Sequence, residues 1–295
     1  MSEKTPDEVL ELARRQMAAR REAEQHQQMQ TQQTQTRRER PWRYIFLGVM
    51  GTLLLALLFT PGLPLQWKMY AVVHGVCAQQ HNIFIGELQV PICARNSGIY
   101  ISFLLTMIYF WVIGRGRAGR IPPWPISAVL VAFVVVMGID GFNSLFLDLG
   151  LPYLYTPRNE LRTLTGMGMG VGVATVMLLI LNTTLRRNVD DQQPLLKSWR
   201  ELGGVLLLDF LILVALYGNL ELLYWPLAFL SFTGIISVLY LVSLLLVSLF
   251  MGYEGRVTHP VQLAKPATIA LLPTLVMLAV MSSLRFWLEA QGLII

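Results

Sequence analysis

Charge is what this chain is short of. Asp, Glu, Lys and Arg make up 14% of its 295 residues, against about 25% in an ordinary soluble domain, while 54% of the residues are hydrophobic. A composition so apolar excludes an ordinary soluble domain. Cysteine is scarce as well, and two residues, Cys77 and Cys93, cannot build a disulfide-dense secreted scaffold. Histidine occurs only at 26, 74, 81 and 259. HExxH, G-x-S-x-G and P-loop lysine patterns are missing, and the loops are too short for a nucleotide-hydrolysing domain. The alternating segments of a membrane barrel are missing too.

What is present is a series of long apolar runs, at about 44–61, 98–114, 124–146, 163–185, 202–223, 226–251 and 267–287. Each is near the roughly 20 residues that cross a bilayer as a helix, the form in which a lone segment satisfies its own backbone in hydrocarbon. The sequence thus predicts an all-α polytopic membrane helix bundle of about seven transmembrane helices, residues 44–295, preceded by a cytoplasmic arm, 1–43.

Lys and Arg near span ends are retained on the cytoplasmic side. With the N-terminus inside, 18 of the 23 basic residues fall inside, and only Lys68, Arg95, Arg158, Arg162 and Arg285 fall outside. That division predicts a cytoplasmic N-terminus and an outer C-terminus. The net charge of +5 is then a topology signal, and nucleic acid is not an expected partner. About forty polar residues precede the first apolar run, which itself serves as the insertion signal. Within them Thr5, Pro6 and Glu8 form a capping-box start, and Val9, Leu10, Ala13 and Met17 share one face of a short amphipathic helix. Residues 5–24 could dock a cytoplasmic or membrane protein, or simply be solvated. The Gln-rich run 25–35 reads as a flexible tether to the basic anchor 37–43.

The stretch TGMGMGVGVA, 165–174, has the letters of a dinucleotide fingerprint, but it lies inside a span. There, Gly166 and Gly170 share one helix face and Gly168 and Gly172 nearly the opposite one, which suits close helix packing on both sides. Between the first two apolar runs, His74, Cys77, His81 and Cys93 offer nitrogen and sulfur ligands. In order of preference they fit a Cys77–Cys93 disulfide, free packed thiols, or a weakly supported metal site. The disulfide would close a loop of about 16 residues, worth roughly 3 kcal/mol. No cofactor is expected.

Ionisable residues within spans cost about 2.5–3.5 kcal/mol at a helix centre unless paired or facing water. Asp140 lies roughly 8 Å inside the outer end of its run at 1.5 Å per residue, with Asn143 one turn above. Arg95, Asn159, Arg162 and Thr165 reach a similar depth on neighbouring runs, and Arg285 and Glu289 on the last. Arg95, Asp140, Asn143, Asn159, Arg162 and Arg285 are therefore the candidate ligand-binding residues. Glu221 reaches the same outer level near the end of the fifth run, while Asp209 stands apart nearer the cytoplasmic end, as a lone carboxyl satisfied by its own neighbours.

These residues carry a resemblance. Cys77 and Gln79, then PICARNSGIY at 91–100, Asp140-Gly141, and Asn159, Arg162, Thr165 and Gly166 resemble a family of uncharacterised prokaryotic multi-pass membrane proteins, a domain of unknown function. Its members carry Cys-His-Gln, Pro-x-Cys-Ala-Arg-Cys-x-Gly-x-Tyr, Asp-Gly and Asn-x-x-Arg-x-x-Thr-Gly. The likeness covers about 70–180. Ala78 replaces the family's His and Asn96 its last Cys, so a metal or redox centre held there would be lost from this chain. The resemblance implies a prokaryotic plasma (inner) membrane location and no defined activity. The leading expectation is binding or translocation of a small anionic solute or lipid headgroup at an outward-facing polar pocket. The alternatives are a non-catalytic accessory subunit of a larger membrane complex and, third, a metal or redox membrane enzyme.

Overall fold

A computed structural model describes residues 6–77 and 81–293. Eight α-helices make up most of it: α1 (Pro6–Phe59), α2 (Leu65–Val73), α3 (Ala94–Val112), α4 (Trp124–Asp148), α5 (Asn159–Leu185), α6 (Trp199–Tyr217), α7 (Tyr224–Phe250) and α8 (Ala264–Ala290). Among the described residues, five segments are long and apolar enough to cross a membrane: Arg37–Phe59 of α1, α4, α5, Glu221–Phe250 and Pro260–Ala290. That is two fewer than the seven expected. α3 and α6 are 19 residues each, and both open on polar residues, Arg95 and Asn96 in one and Arg200 and Glu201 in the other, while α6 also holds Asp209.

The first helix also departs from expectation, running unbroken through the Gln-rich segment read as a tether. Between Asp7 and Arg40 there is no Gly or Pro, and Gln, Glu, Arg, Ala and Met are all good helix formers. Pro41 sits inside the helix, where its missing N–H costs one backbone bond. Glu39 is buried against the far end of the chain, accepting hydrogen bonds from the Tyr253 hydroxyl (2.7 Å) and the Lys265 amide (3.1 Å). Before it, Arg14, Met17 and Arg20 are exposed. Thr5 and the side chains of Val9, Leu10 and Ala13 lie outside the described residues, as does Ala78 of the motif region.

Two small strand pairs interrupt the helical pattern. β1 (Asn82–Ile85) and β2 (Leu88–Cys93) form an antiparallel hairpin with Ile85 opposite Leu88, turning at Gly86, whose φ of 62° suits a residue without Cβ. Ile85, Val90 and Ile92 of this hairpin are fully buried in one cluster with Met69 of α2 and Tyr224 of α7. At the opposite end of the bundle, β3 (Ala118–Arg120) pairs in parallel with β4 (Asp190–Pro194). The hairpin caps the end where α3 and α5 begin and α4, α6 and α8 finish.

Helix α5 occupies the middle because its glycines admit backbone on two sides. A Cβ on Gly166 would sit 2.3 Å from the carbonyl oxygen of Arg95, and one on Gly170 2.4 Å from that of Ile99, both on α3. Gly98 of α3 returns the contact, 2.2 Å from the oxygen of Thr163. The opposite face meets α4, with Gly168 against Phe133 and Gly172 near Val134. The two-faced glycine pattern of the sequence is thus realised as α3–α5–α4 packing.

Candidate functional site: a charged network at the hairpin end

Cys93 precedes the first turn of α3 and is joined by a disulfide to Cys77, their Cα atoms 6.6 Å apart. The hairpin and this bond fix where α3 begins, and so fix Arg95 in its first turn. From there Arg95 reaches α4. Its Nη2 donates to Asp140 Oδ2 at 2.7 Å and its Nε to the same oxygen at 3.2 Å. Nη2 also lies 3.2 Å from the Asp140 carbonyl and 2.9 Å from Ser144 Oγ, one turn along α4. Asp140 is 1% exposed. Its other oxygen accepts from the Tyr155 hydroxyl at 2.5 Å, and Thr165 Oγ1 of α5 lies 3.3 Å from Oδ2. The carboxylate is therefore held by one cation and by hydroxyls from the α4–α5 loop and α5, an arrangement that offsets the cost of burying it.

Tyr155 is in turn held by Asn143, whose Nδ2 donates to the Tyr155 carbonyl at 2.9 Å while its Oδ1 accepts from the Leu154 amide at 2.7 Å. Asn143 thus positions the loop and does not itself reach the charges. Burial, and then the hydrogen bond to Asp140, push the Tyr155 phenol up to about 12, so it donates throughout the neutral range. His81, at the start of the hairpin, lies 3.8 Å from Asp148. Burial, followed by the Arg162 guanidinium, holds its imidazole below the ordinary histidine range against the opposing pull of Asp148.

A group with a depressed folded-state value binds fewer protons when folded, so stability falls as pH drops through the ordinary histidine range. Thermal midpoints measured against pH should show that decline, and His81→Gln should flatten it. An identical slope in both proteins would remove His81 from the network.

The second arginine is held differently. Arg162 of α5 is 4% exposed, with Nε 3.4 Å from Ser144 Oγ and Nη1 donating to Asn159 Oδ1 at 3.1 Å. Among the described residues no carboxylate oxygen lies within 4.0 Å of it, and its Nη2 has no hydrogen-bond partner. Asn159 itself donates to the Asn82 carbonyl at 3.1 Å, tying α5 to the hairpin. Ser144 thus bridges two guanidiniums, one in a direct ion pair and one not.

Arg285, expected in this cluster, is elsewhere. It donates to Glu289 Oε1 at 2.7 Å and to the Cys77 carbonyl, while Glu289 Oε2 is 2.8 Å from His74 Nε2. His74 also stacks on Phe286 with ring centroids 4.2 Å apart. Depth alone grouped Arg285 with the others, but α8 turns it toward α2 and the disulfide. The set weighed as metal ligands is likewise dispersed, because the two thiols are joined to each other, His74 faces Glu289 and His81 faces Asp148. Among the described residues no group of three or more His, Cys, Asp and Glu is placed to hold a metal. Glu221 packs on the turn of the hairpin at Gly86. Sequence reasoning missed Ser144 and Tyr155. Ser144 could have been found four residues after Asp140, on the same helix face.

Residues 77–176, which hold Arg95, Asp140 and Arg162, match a family described as a predicted membrane protein (DUF2085). Over 108 residues the chain is 33% identical to an uncharacterized protein of Methanocaldococcus jannaschii, covering 34% of this chain and 63% of that one. The match therefore spans less than two thirds of that relative's length. No solved structure matches the chain. Long apolar helices and this likeness together make the chain a multi-pass membrane protein, similar over residues 77–176 to that membrane-protein family.

Proposed function

We propose that the hairpin end of the bundle recognises a small oxyanion, either a free solute or the same group on a lipid head, with Arg162 as its cationic ligand. The observation that carries this reading is the contrast between the two arginines: Arg95 is neutralised by Asp140, whereas Arg162 is buried with only neutral partners. A buried cation without a direct ion pair is costly, and a planar guanidinium is matched to carboxylate or phosphate. Asp140 holds Arg95 away from the anion, and Ser144 and Asn159 set the plane of Arg162. In this reading no covalent chemistry is performed.

The proposal includes seven crossings, with α3 and α6 as the sixth and seventh spans and the hairpin end facing outside. Nineteen residues reach about 28 Å at 1.5 Å per residue, close to the roughly 30 Å hydrocarbon thickness, and the asymmetry of basic residues favours this orientation. An outer location also suits a disulfide. After reduction, a membrane-impermeant thiol reagent should reach Cys77 and Cys93 from outside only; labelling solely from the cytoplasmic face would reverse the orientation.

Anion binding is tested with Arg162→Lys, which keeps the charge but loses the planar fork. Titration of inorganic phosphate into protein in neutral-lipid nanodiscs, and into nanodiscs containing phosphatidic acid, separates the two sources. Affinity for one of them should fall by about tenfold or more in Arg162→Lys, the equivalent of roughly 1.4 kcal/mol, while Arg158→Lys at the exposed loop should bind as the parent does. Equal affinity in Arg162→Lys and the parent would refute the reading.

A further inference from the structure

Asp209 lies midway along α6 and is 4% exposed. Read from sequence it is a lone carboxyl satisfied by its own neighbours, but the structure gives it a partner across the bundle. Ser102 Oγ of α3 is 2.8 Å from Asp209 Oδ2, and the same hydroxyl oxygen is 2.9 Å from the Met167 carbonyl of α5. A hydroxyl has one proton to give, and a carbonyl oxygen only accepts. If Asp209 were ionised, both neighbours of Ser102 would be acceptors, and one of the two contacts would set lone pairs against each other. If Asp209 carries a proton, the carboxyl donates to Ser102 and Ser102 donates to Met167, so both contacts become hydrogen bonds.

A second observation points the same way. Among the described residues, Asp209 Oδ1 is buried with no hydrogen-bond partner, and so is Thr106 Oγ1, four residues along α3 from Ser102 and fully buried. An ionised carboxylate needs several donors to offset its desolvation, and here it would receive at most one. The helices packed against α6 bring no charge to it. From α3 come Ser102 and the Tyr109 phenol, which rests on Gly204. From α5 come the Met167 carbonyl and Thr163, the latter bonded to Tyr217 of α6 at 2.7 Å. No Lys, Arg or His lies within ion-pair distance of Asp209 among the described residues.

We propose that Asp209, with Ser102 and the Met167 carbonyl, is a proton-binding site inside the bundle, occupied at neutral pH. Its ligand is a proton. The site goes beyond the anion reading and is separate from it: Ser102 is seven residues along α3 from Arg95, about 10 Å deeper. Resting here on the seven-crossing reading above, it gives the protein a group that can be charged or neutral within the membrane, the property by which buried carboxyls serve proton relays.

Infrared difference spectroscopy on the full chain in phosphatidylcholine vesicles tests it. At neutral pH the parent should show the C=O stretch of a protonated carboxylic acid, sensitive to deuterated solvent and lost in Asp209→Asn. In Ser102→Ala the same band should move to higher frequency, because the carboxyl has lost its acceptor. That variant keeps Asp209 and carries the test alone if Asp209→Asn does not fold. Arg162→Lys should leave the band in place, so failure of the anion reading is distinguishable. A neutral-pH spectrum without the band, or a band that neither substitution alters, would overturn the proposal.

Discussion

Replacing Arg95 by Gln should destabilise the protein by about 3–5 kcal/mol, the range found when one partner is removed from a buried ion pair. The carboxylate left behind is the reason. Asp140 is 1% exposed, and without the guanidinium it keeps the Tyr155 hydroxyl at 2.5 Å and a more distant Thr165, too little to stabilise a charge at that depth. Asp140→Asn should cost less, because Arg95 is 22% exposed and can turn toward water. The Arg95→Gln, Asp140→Asn pair should then recover most of the loss of Arg95→Gln alone. Combining Asp140→Asn with Arg162→Gln should recover little, since Arg162 bonds Ser144 and Asn159 rather than Asp140. Denaturation in mild detergent, run as a double-mutant cycle, gives the coupling directly. A coupling of zero between Arg95 and Asp140 would mean that the pair contributes nothing to holding α3 on α4.

The second large effect is steric. Gly166→Ala should cost about 3 kcal/mol, at the upper end for overpacking, or abolish folding outright. Its new methyl would stand 2.3 Å from the Arg95 carbonyl oxygen, and that of Gly98→Ala 2.2 Å from the Thr163 oxygen. In both cases the obstacle is backbone, which cannot step aside as a flexible side chain can. Gly172→Ala is the control on the same helix: its nearest neighbour is a Val134 methyl at 3.6 Å, an ordinary contact, and its effect should be near zero. Measured stabilities that rank Gly172→Ala with Gly166→Ala would show that α3 and α5 are not packed backbone to backbone. Because Gly166 and Arg95 share this contact, the same substitution should also displace Arg95 from Asp140.

Much of this site can be read from the sequence, for identifiable reasons. The glycine spacing of α5 shows which of its faces can be approached, because helical period converts position into angle. Depth is equally legible, since each residue advances a helix by a fixed rise, and it set Arg95, Asp140 and Arg162 at one level. Rotation of a helix about its own axis is another matter. Arg285 has a suitable depth but points to Cys77 and Glu289, and only the packing of α8 on α2 decides that. Partner identity is hidden for the same reason: Asp140 took Arg95 rather than Arg162, and Asp209 took Ser102 from a helix far away in sequence. The hairpin, by contrast, is written in local alternation. Ile83 and Ile85 alternate before Gly86, and Leu88, Val90 and Ile92 alternate after it, which is a short strand–turn–strand pattern.

The arrangement at the hairpin end is most directly tested by a high-resolution map of the protein in nanodiscs that contain phosphatidic acid, with inorganic phosphate in the buffer. Density for a tetrahedral oxyanion or a phospholipid head is expected within hydrogen-bond reach of Arg162 Nη2, with Arg95 still paired to Asp140. A map in which Arg162 has turned onto a carboxylate of the chain, with no anion density beside it, would contradict the account.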